Sequence, residues 1–212
     1  MKYDLVAFDM DGTIIDTDLM IVLTMLDLYK KYRPGFKPLL NDIVYFSGPP
    51  LEDTMRKEFP NEDVNKMKKE FASISLSYYE ATAVAFPYTK DFILELKKAG
   101  VRVAVITSKL RKAAEFALQI TGLDSLFELL IGGDDVANPK PDPEGLLETM
   151  DFFRIRDKSK VLYIGDTLFD YETARRAGVS CALVDWNTRR LPKDAKSDYI
   201  VSSYKEFINE LK

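Results

Sequence analysis

The sequence has no histidine and a single cysteine, Cys181, among its 212 residues. Without histidine there can be no Ser-His-Asp or Cys-His machinery, no His-ligated metal and no imidazole base. One cysteine excludes an intrachain disulfide framework and a Cys-cluster zinc site. A basic excess is also missing: 30 Lys and Arg face 34 Asp and Glu, a formal charge of −4, so nucleic acid is not the expected partner. The short basic clusters at Lys66–Lys69, Lys97–Lys98 and Arg189–Arg190 read as solvated faces or turns. No stretch approaches 18 uninterrupted apolar residues, so no membrane span is expected. The start, Met1-Lys2-Tyr3-Asp4, lacks a signal-peptide layout, and with one cysteine the expected location is the cytoplasm. Any chemistry is left to carboxylates, lysines, hydroxyls and an oxygen-liganded metal.

What is present suits a folded chain. Hydrophobic residues make up 46% and charged residues 30%, enough apolar matter for a core and enough charge for solubility. Leu5–Phe8 is a short apolar run ended by Asp9-Met10-Asp11-Gly12-Thr13, the pattern of a buried strand with a polar loop at its carboxyl end. Residues 17–87 read as helical throughout, broken at Pro34-Gly35 and Ser47-Gly48-Pro49-Pro50, with no strand expected among them. Beyond Pro87, helices and strands alternate. Strands are predicted at 101–106, 129–131, 161–164 and 181–184, and helices at 91–99, 112–121, 143–153, 173–177 and 204–211. Apolar strands alternating with helices predict an α/β fold with a parallel, Rossmann-like sheet. Residues 1–16 and 88–212 would form this core domain, and residues 17–87 a small α-helical cap inserted after the first strand.

In open parallel sheets, function collects at the carboxyl ends of the strands. Those ends carry Asp9, Asp11, Thr107, Ser108, Asp134, Asp135, Asp166 and Asp170. Positions i and i+2 of a strand share a side, so Asp9 and Asp11 can face one site. Like charges so close call for a cation between them and Asp166, and with oxygen ligands alone Mg²⁺ is the natural candidate. Carboxylates, a metal and a lysine suit phosphoryl transfer, which rests on positioning and charge stabilisation.

The segment Phe8-Asp9-Met10-Asp11-Gly12-Thr13 resembles the DxDGT motif of the haloacid dehalogenase superfamily. Val105-Ile106-Thr107-Ser108-Lys109 resembles its second motif, Lys140-Pro141-Asp142-Pro143 its third, a lysine opening a helix, and Gly165-Asp166-Thr167-Leu168-Phe169-Asp170 its fourth. The four stand in the family's order. The resemblance implies Asp9 as nucleophile and Mg²⁺ ligand. Asp11 would be the general acid/base and bind the metal through its carbonyl. Thr107 and the Ser108 amide would hold the phosphoryl oxygens, Lys140 would neutralise nucleophile and phosphate, and Asp166 would complete the metal shell. Asp170 would touch metal-bound water or orient Lys140. Dehalogenases of the superfamily lack the second acid, and Asp11 is present, so a phosphatase or phosphomutase is implied.

The helical insert resembles the cap of the phosphoglycolate phosphatase-like branch, and Ser47-Gly48-Pro49-Pro50-Leu51 resembles its substrate-facing loop, with Gly48 the expected contact. Arg56 and Lys57 follow and read as surface residues that could meet an anion. Cys181 reads as core, Tyr78-Tyr79 as helix packing, Trp186-Asn187 as packing or loop, and Asp134-Asp135 as equally a turn or a support for the site. The expectation is an Mg²⁺-dependent phosphatase acting on a small phosphorylated metabolite through an aspartyl-phosphate, as a monomer or weak homodimer. Pyrophosphate or nucleotide hydrolysis and β-phosphoglucomutase-like isomerisation stay open on the same scaffold. A receiver-like phospho-accepting module has no use for so large a lid.

Overall fold

The computed structural model describes residues 1–44, 46, 49–187 and 196–212. Six strands form one sheet: β1 (Leu5–Phe8), β4 (Arg102–Ile106), β5 (Leu129–Ile131), β6 (Val161–Gly165), β7 (Ser180–Val184) and β8 (Tyr199–Val201). Their order is β5-β4-β1-β6-β7-β8, and every neighbouring pair is parallel. The strands are apolar because both faces are covered. Along β1, Val6 and Phe8 enter one buried cluster while Leu5 and Ala7 enter the other. Leu162 and Ile164 alternate with Val161 and Tyr163 in the same way. Each fully buried aliphatic side chain of this kind contributes roughly 1.5–3 kcal/mol.

The connecting helices of the core are α5 (Thr89–Lys98), α6 (Arg111–Ile120), α7 (Glu144–Phe152), α8 (Leu168–Ala177) and α9 (Tyr204–Glu210). The cap consists of α1 (Asp18–Tyr32), α2 (Leu40–Val44), α3 (Leu51–Glu58) and α4 (Val64–Thr82). Helix α1 packs on α4 and α2, and α3 packs on α4. Met20, Met25 and Leu28 of α1, Met55 of α3 and Met67 and Tyr79 of α4 are buried in the same cluster as Val6 and Phe8, so cap and core share one apolar body.

The structure adds a feature to the helical block. Val84–Ala85 forms a short strand, β3, antiparallel to β2 (Ile15–Asp16). A strand therefore lies within residues 17–87, against expectation, and this two-residue ribbon ties together the places where the chain leaves and rejoins the core. Strand β8 was also not anticipated. Helix α8 starts at Leu168, inside the fourth motif, because Thr167 and Asp170 form a reciprocal capping box. Lys140 does not open a helix: α7 begins at Glu144. Ser47 and Gly48 of the expected substrate-facing loop, and Arg189–Arg190, lie outside the described residues.

Strand register sets the site. Phe8 sits opposite Val105 on one side and Ile164 on the other. The chain therefore leaves the sheet at Asp9 within a residue or two of Thr107 and Asp166. Strand β1 lies between β4 and β6: the chain runs outward through β4 and β5 on one side and then returns across the sheet to β6 on the other, the kind of switch point where open sheets place ligands.

Candidate active site

Asp9 follows β1 and is 4% exposed. Its Oδ1 accepts a hydrogen bond from Lys140 Nζ at 2.6 Å. The same ammonium donates to Asp170 Oδ1 at 2.7 Å. Lys140 arrives on the loop between β5 and α7, with a cis bond to Pro141. Glu144 fastens that loop by accepting from the amides of Ala137 (2.7 Å) and Asn138 (2.9 Å) and from the Asn138 side chain (2.8 Å).

Asp170 is buried in the first turn of α8. Its Oδ2 accepts from the Thr167 hydroxyl (2.6 Å), the Thr167 amide (3.0 Å) and the Asp166 amide (3.3 Å). Its Oδ1 takes Lys140 and the Tyr163 hydroxyl, the latter at 3.2 Å. Gly165 makes this possible: a Cβ there would fall 2.2 Å from the Cβ of Asp170. Asp166 accepts from the Thr13 hydroxyl at 3.3 Å and from Asn187 Nδ2 at 2.9 Å.

Asp9, Asp166 and Asp170 each present a carboxylate oxygen within 4.8 Å of the others. Two of these three buried carboxylates, Asp9 and Asp170, share one lysine. Burial pushes the Asp9 carboxyl well above its usual range; Lys140 opposes this, and Asp170 and Asp166 push it further up. Burial pulls the Lys140 ammonium down, but Asp170 and Asp9 outweigh it and hold it firmly charged. Burial likewise raises Asp170, yet the charge of Lys140 and the hydrogen bonds of Lys140 and Thr167 leave its carboxyl below the usual range. The donor set fits a hard divalent cation: all oxygen, net negative and shielded from water. Both oxygens of Asp170 are engaged, Oδ1 by the Lys140 ammonium and Tyr163 and Oδ2 by Thr167, so this carboxylate supports the lysine.

Asp11 lies outside this group of three. Its Oδ1 accepts from the Thr17 hydroxyl at 2.7 Å, and its Oδ2 pairs with Lys109 Nζ at 3.1 Å. Gly12, directly after Asp11, carries φ +83°, a left-handed conformation natural to glycine. Lys109 Nζ also sits 5.3 Å from the ring centre of Tyr79, which α4 brings in from the cap. Burial opposes charge on Lys109, but Asp11 and Tyr79 together leave its ammonium more firmly protonated than usual.

Thr107 is buried, and its oxygen accepts the Lys109 amide at 3.2 Å, leaving the hydroxyl proton for an anion. The Ser108 hydroxyl is buried with no partner among the described residues. Two buried hydroxyls at the end of β4 can receive phosphoryl oxygens.

The other expectations resolve individually. Asp134 and Asp135 support a turn, accepting from the backbone and side chain of Arg111. Arg56 and Lys57 are exposed and pair with Glu52 and Glu58. Cys181 is buried in the core. Trp186 packs against Phe86 and Tyr204, whereas Asn187, read as packing or loop, reaches Asp166. Tyr78 donates to Asp27 of α1, whereas Tyr79, read as helix packing, meets Lys109. Sequence reasoning also passed over Tyr163 and Lys109. Tyr163 is the one polar side chain in the run Val161–Ile164, and Lys109 directly follows the two hydroxyl residues; both signals were there to be read.

A cleft of about 590 Å³ lies within the cap, lined among others by Tyr29, Phe36, Ile43 and Thr54; Pro49 of the segment resembling the substrate-facing loop borders it, but no residue of the four core motifs does. The convergent charges, not that cleft, mark the site. Among the described residues no helix is long and apolar enough to cross a membrane.

Residues 6–184 match the family of haloacid dehalogenase-like hydrolases. Pyrophosphatase PpaX of Oceanobacillus iheyensis is 29% identical over 210 residues, covering 98% of this chain and 96% of the relative. The pyrophosphatase PpaX of Bacillus velezensis is 31% identical over 185 residues, covering 87% and 84%. Among solved structures, a protein from Bacteroides fragilis described as a haloacid dehalogenase-like hydrolase superposes with a TM-score of 0.86 at 30% identity, over 95% of this chain and 98% of its own. With this match, the parallel sheet and the helical cap, the chain belongs to the haloacid dehalogenase-like hydrolases and is a phosphatase-type enzyme of that family.

Proposed function

We propose that the protein is an Mg²⁺-dependent phosphatase that hydrolyses a small phosphorylated substrate through an aspartyl-phosphate on Asp9. The core would comprise residues 1–16 and 88–212 and the cap residues 17–87. The observation that carries this reading is the buried cluster in which Lys140 bridges Asp9 and Asp170 beside Asp166. A carboxylate held at the end of the central strand, next to a lysine and two hydroxyls, is placed to attack phosphorus.

Asp9 and Asp166, with the Asp11 carbonyl, would hold the magnesium ion, which when bound offsets the negative charge of the site and of the phosphoryl group. Thr107 and Ser108 receive the phosphoryl oxygens. In the first step an Asp9 oxygen bonds to phosphorus, the bond to the leaving oxygen breaks, and Asp11 delivers a proton to that oxygen. In the second, water attacks phosphorus, gives its proton to Asp11 and releases Asp9 and orthophosphate. Asp170 keeps Lys140 in place and does not touch the substrate. The cap excludes bulk water while these steps proceed.

Replacing Asp9 with Asn removes the nucleophile and should abolish turnover of phosphate esters, by 10⁴-fold or more on the scale of roughly 10⁴–10⁶ seen when a nucleophile is deleted. Undiminished turnover by Asp9→Asn would refute the mechanism, and full activity after exhaustive chelation would refute the metal. Interconversion of sugar phosphates without release of orthophosphate would place the protein among phosphomutases instead.

A further inference from the structure

We propose that Lys109 is a specificity residue that binds the leaving group, and that the natural substrate therefore carries a second negative charge on the atoms next to the bond that breaks. This rests on the phosphatase reading above and deepens it.

The basic side chains near the site have separate tasks. Lys140 belongs to the acidic cluster, with Asp9 and Asp170 as its partners. Lys109 stands apart from that cluster and is paired with Asp11 at 3.1 Å. Asp11 defines the leaving-group side, because a leaving oxygen must come within about 3 Å of the acid that protonates it. An oxygen that close to Asp11 Oδ2 lies no further than about 6 Å from Lys109 Nζ by the same contact length. An anionic group attached to the leaving oxygen closes that remaining gap. A neutral alcohol offers the ammonium nothing.

The surroundings fix the ammonium for such a task. Its side chain is only 13% exposed, so a contact there is poorly screened. The Lys109 amide donates to Thr107 Oγ1 at 3.2 Å, so one turn of chain carries both the hydroxyls for the transferred phosphoryl group and the cation for its neighbour. From the cap, Tyr79 covers Lys109 and is itself buried. It packs edge-on against Phe116 of α6, which keeps the phenol at this boundary between cap and core. Two adjacent anionic groups, one beside Thr107 and Ser108 and one beside Lys109 and Tyr79, describe pyrophosphate or a phosphate ester of a small hydroxy acid.

The test compares kcat/KM for pyrophosphate, phosphoglycolate and phenyl phosphate, the last having no charge on its leaving group beyond the departing oxygen. It uses the full-length wild type, Lys109→Met and Lys109→Arg, each checked for an unchanged melting temperature. The wild type should favour the two anionic-leaving substrates. In Lys109→Met the ratio of their kcat/KM to that of phenyl phosphate should fall at least tenfold, largely through KM, and Lys109→Arg should restore most of it. An equal loss on all three substrates would show that Lys109 only positions Asp11, and would overturn the proposal. So would an unchanged ratio, or a wild type that favours phenyl phosphate. Loss of activity in Asp9→Asn alongside any of these results keeps the phosphatase reading standing. A wild type inert on all three would overturn that reading and this proposal with it.

Discussion

Replacing Lys140 with Met tests the electrostatics of the site without touching the sheet. The change keeps an unbranched chain of similar length and removes one positive charge from between two carboxylates, Asp9 at 4% and Asp170 at 0% exposure. Removing one partner of a buried pair costs about 3–5 kcal/mol, because the remaining charge stays out of water without compensation. At about 2–4 °C per kcal/mol for a chain of this length, the melting temperature should fall by about 6–20 °C in metal-free buffer. A second substitution supplies the control. Asp170→Asn keeps an oxygen for the Thr167 and Asp166 donors and removes the stranded charge. Lys140→Met/Asp170→Asn should therefore be less destabilised than the sum of the single changes, by at least about 1 kcal/mol. The acid limb gives an independent reading. The Asp170 carboxyl is lower in the folded protein than in the unfolded chain. It thus stabilises the fold above about pH 3.9, and that contribution disappears as the pH falls through the depressed folded value. Lys140→Met should flatten this part of the curve. Calorimetry across pH 3–7 (about the working range of the carboxylates) reads all three outcomes. A single-variant loss below about 2 °C, or strict additivity in the double variant, would refute the view that Lys140 neutralises a buried acidic pair.

Two further expectations concern how the site is held. Gly165→Ala places a methyl group 2.2 Å from the Asp170 Cβ; thermal melting should show a loss of about 1–3 kcal/mol, and turnover should fall with it because Lys140 loses its anchor. Glu144→Ala releases the amides of Ala137 and Asn138; kcat should drop, by up to about 100-fold if Lys140 shifts by 1 Å. Hydrogen exchange should quicken at 137–138 while the sheet stays protected, and unchanged exchange there would refute the role of Glu144.

The core was legible because it depends on local pattern. Apolar runs bounded by glycine and polar turns mark β1, β4, β6 and β7, and their burial on both faces is what a parallel sheet requires. The four motifs place Asp9, Asp11, Thr107 and Asp166 just past strand ends and Lys140 on the loop between β5 and α7, so these candidates could be named without coordinates. Short elements were not legible. The β2–β3 ribbon has two residues per strand, too few to show a period of two, and its halves lie far apart in the chain. Strand β8, three residues long, gives equally little signal.

The sequence by itself determined the kind of chemistry: no imidazole, one thiol, and carboxylates with a lysine and hydroxyls at the ends of apolar strands. Tertiary structure alone decided how those groups divide the work. Asp170 reads in the chain as a contact of metal-bound water or as a support of Lys140; the surroundings that occupy both its oxygens make it the support of Lys140. Lys109 and Tyr79 lie 30 positions apart on core and cap, with nothing in their neighbours to pair them. Their meeting at Asp11 follows from how the cap packs on the core. Side-chain identity and spacing fix which groups exist and which strand end carries them, whereas charge compensation, burial and partner choice depend on distances between segments that no local pattern encodes.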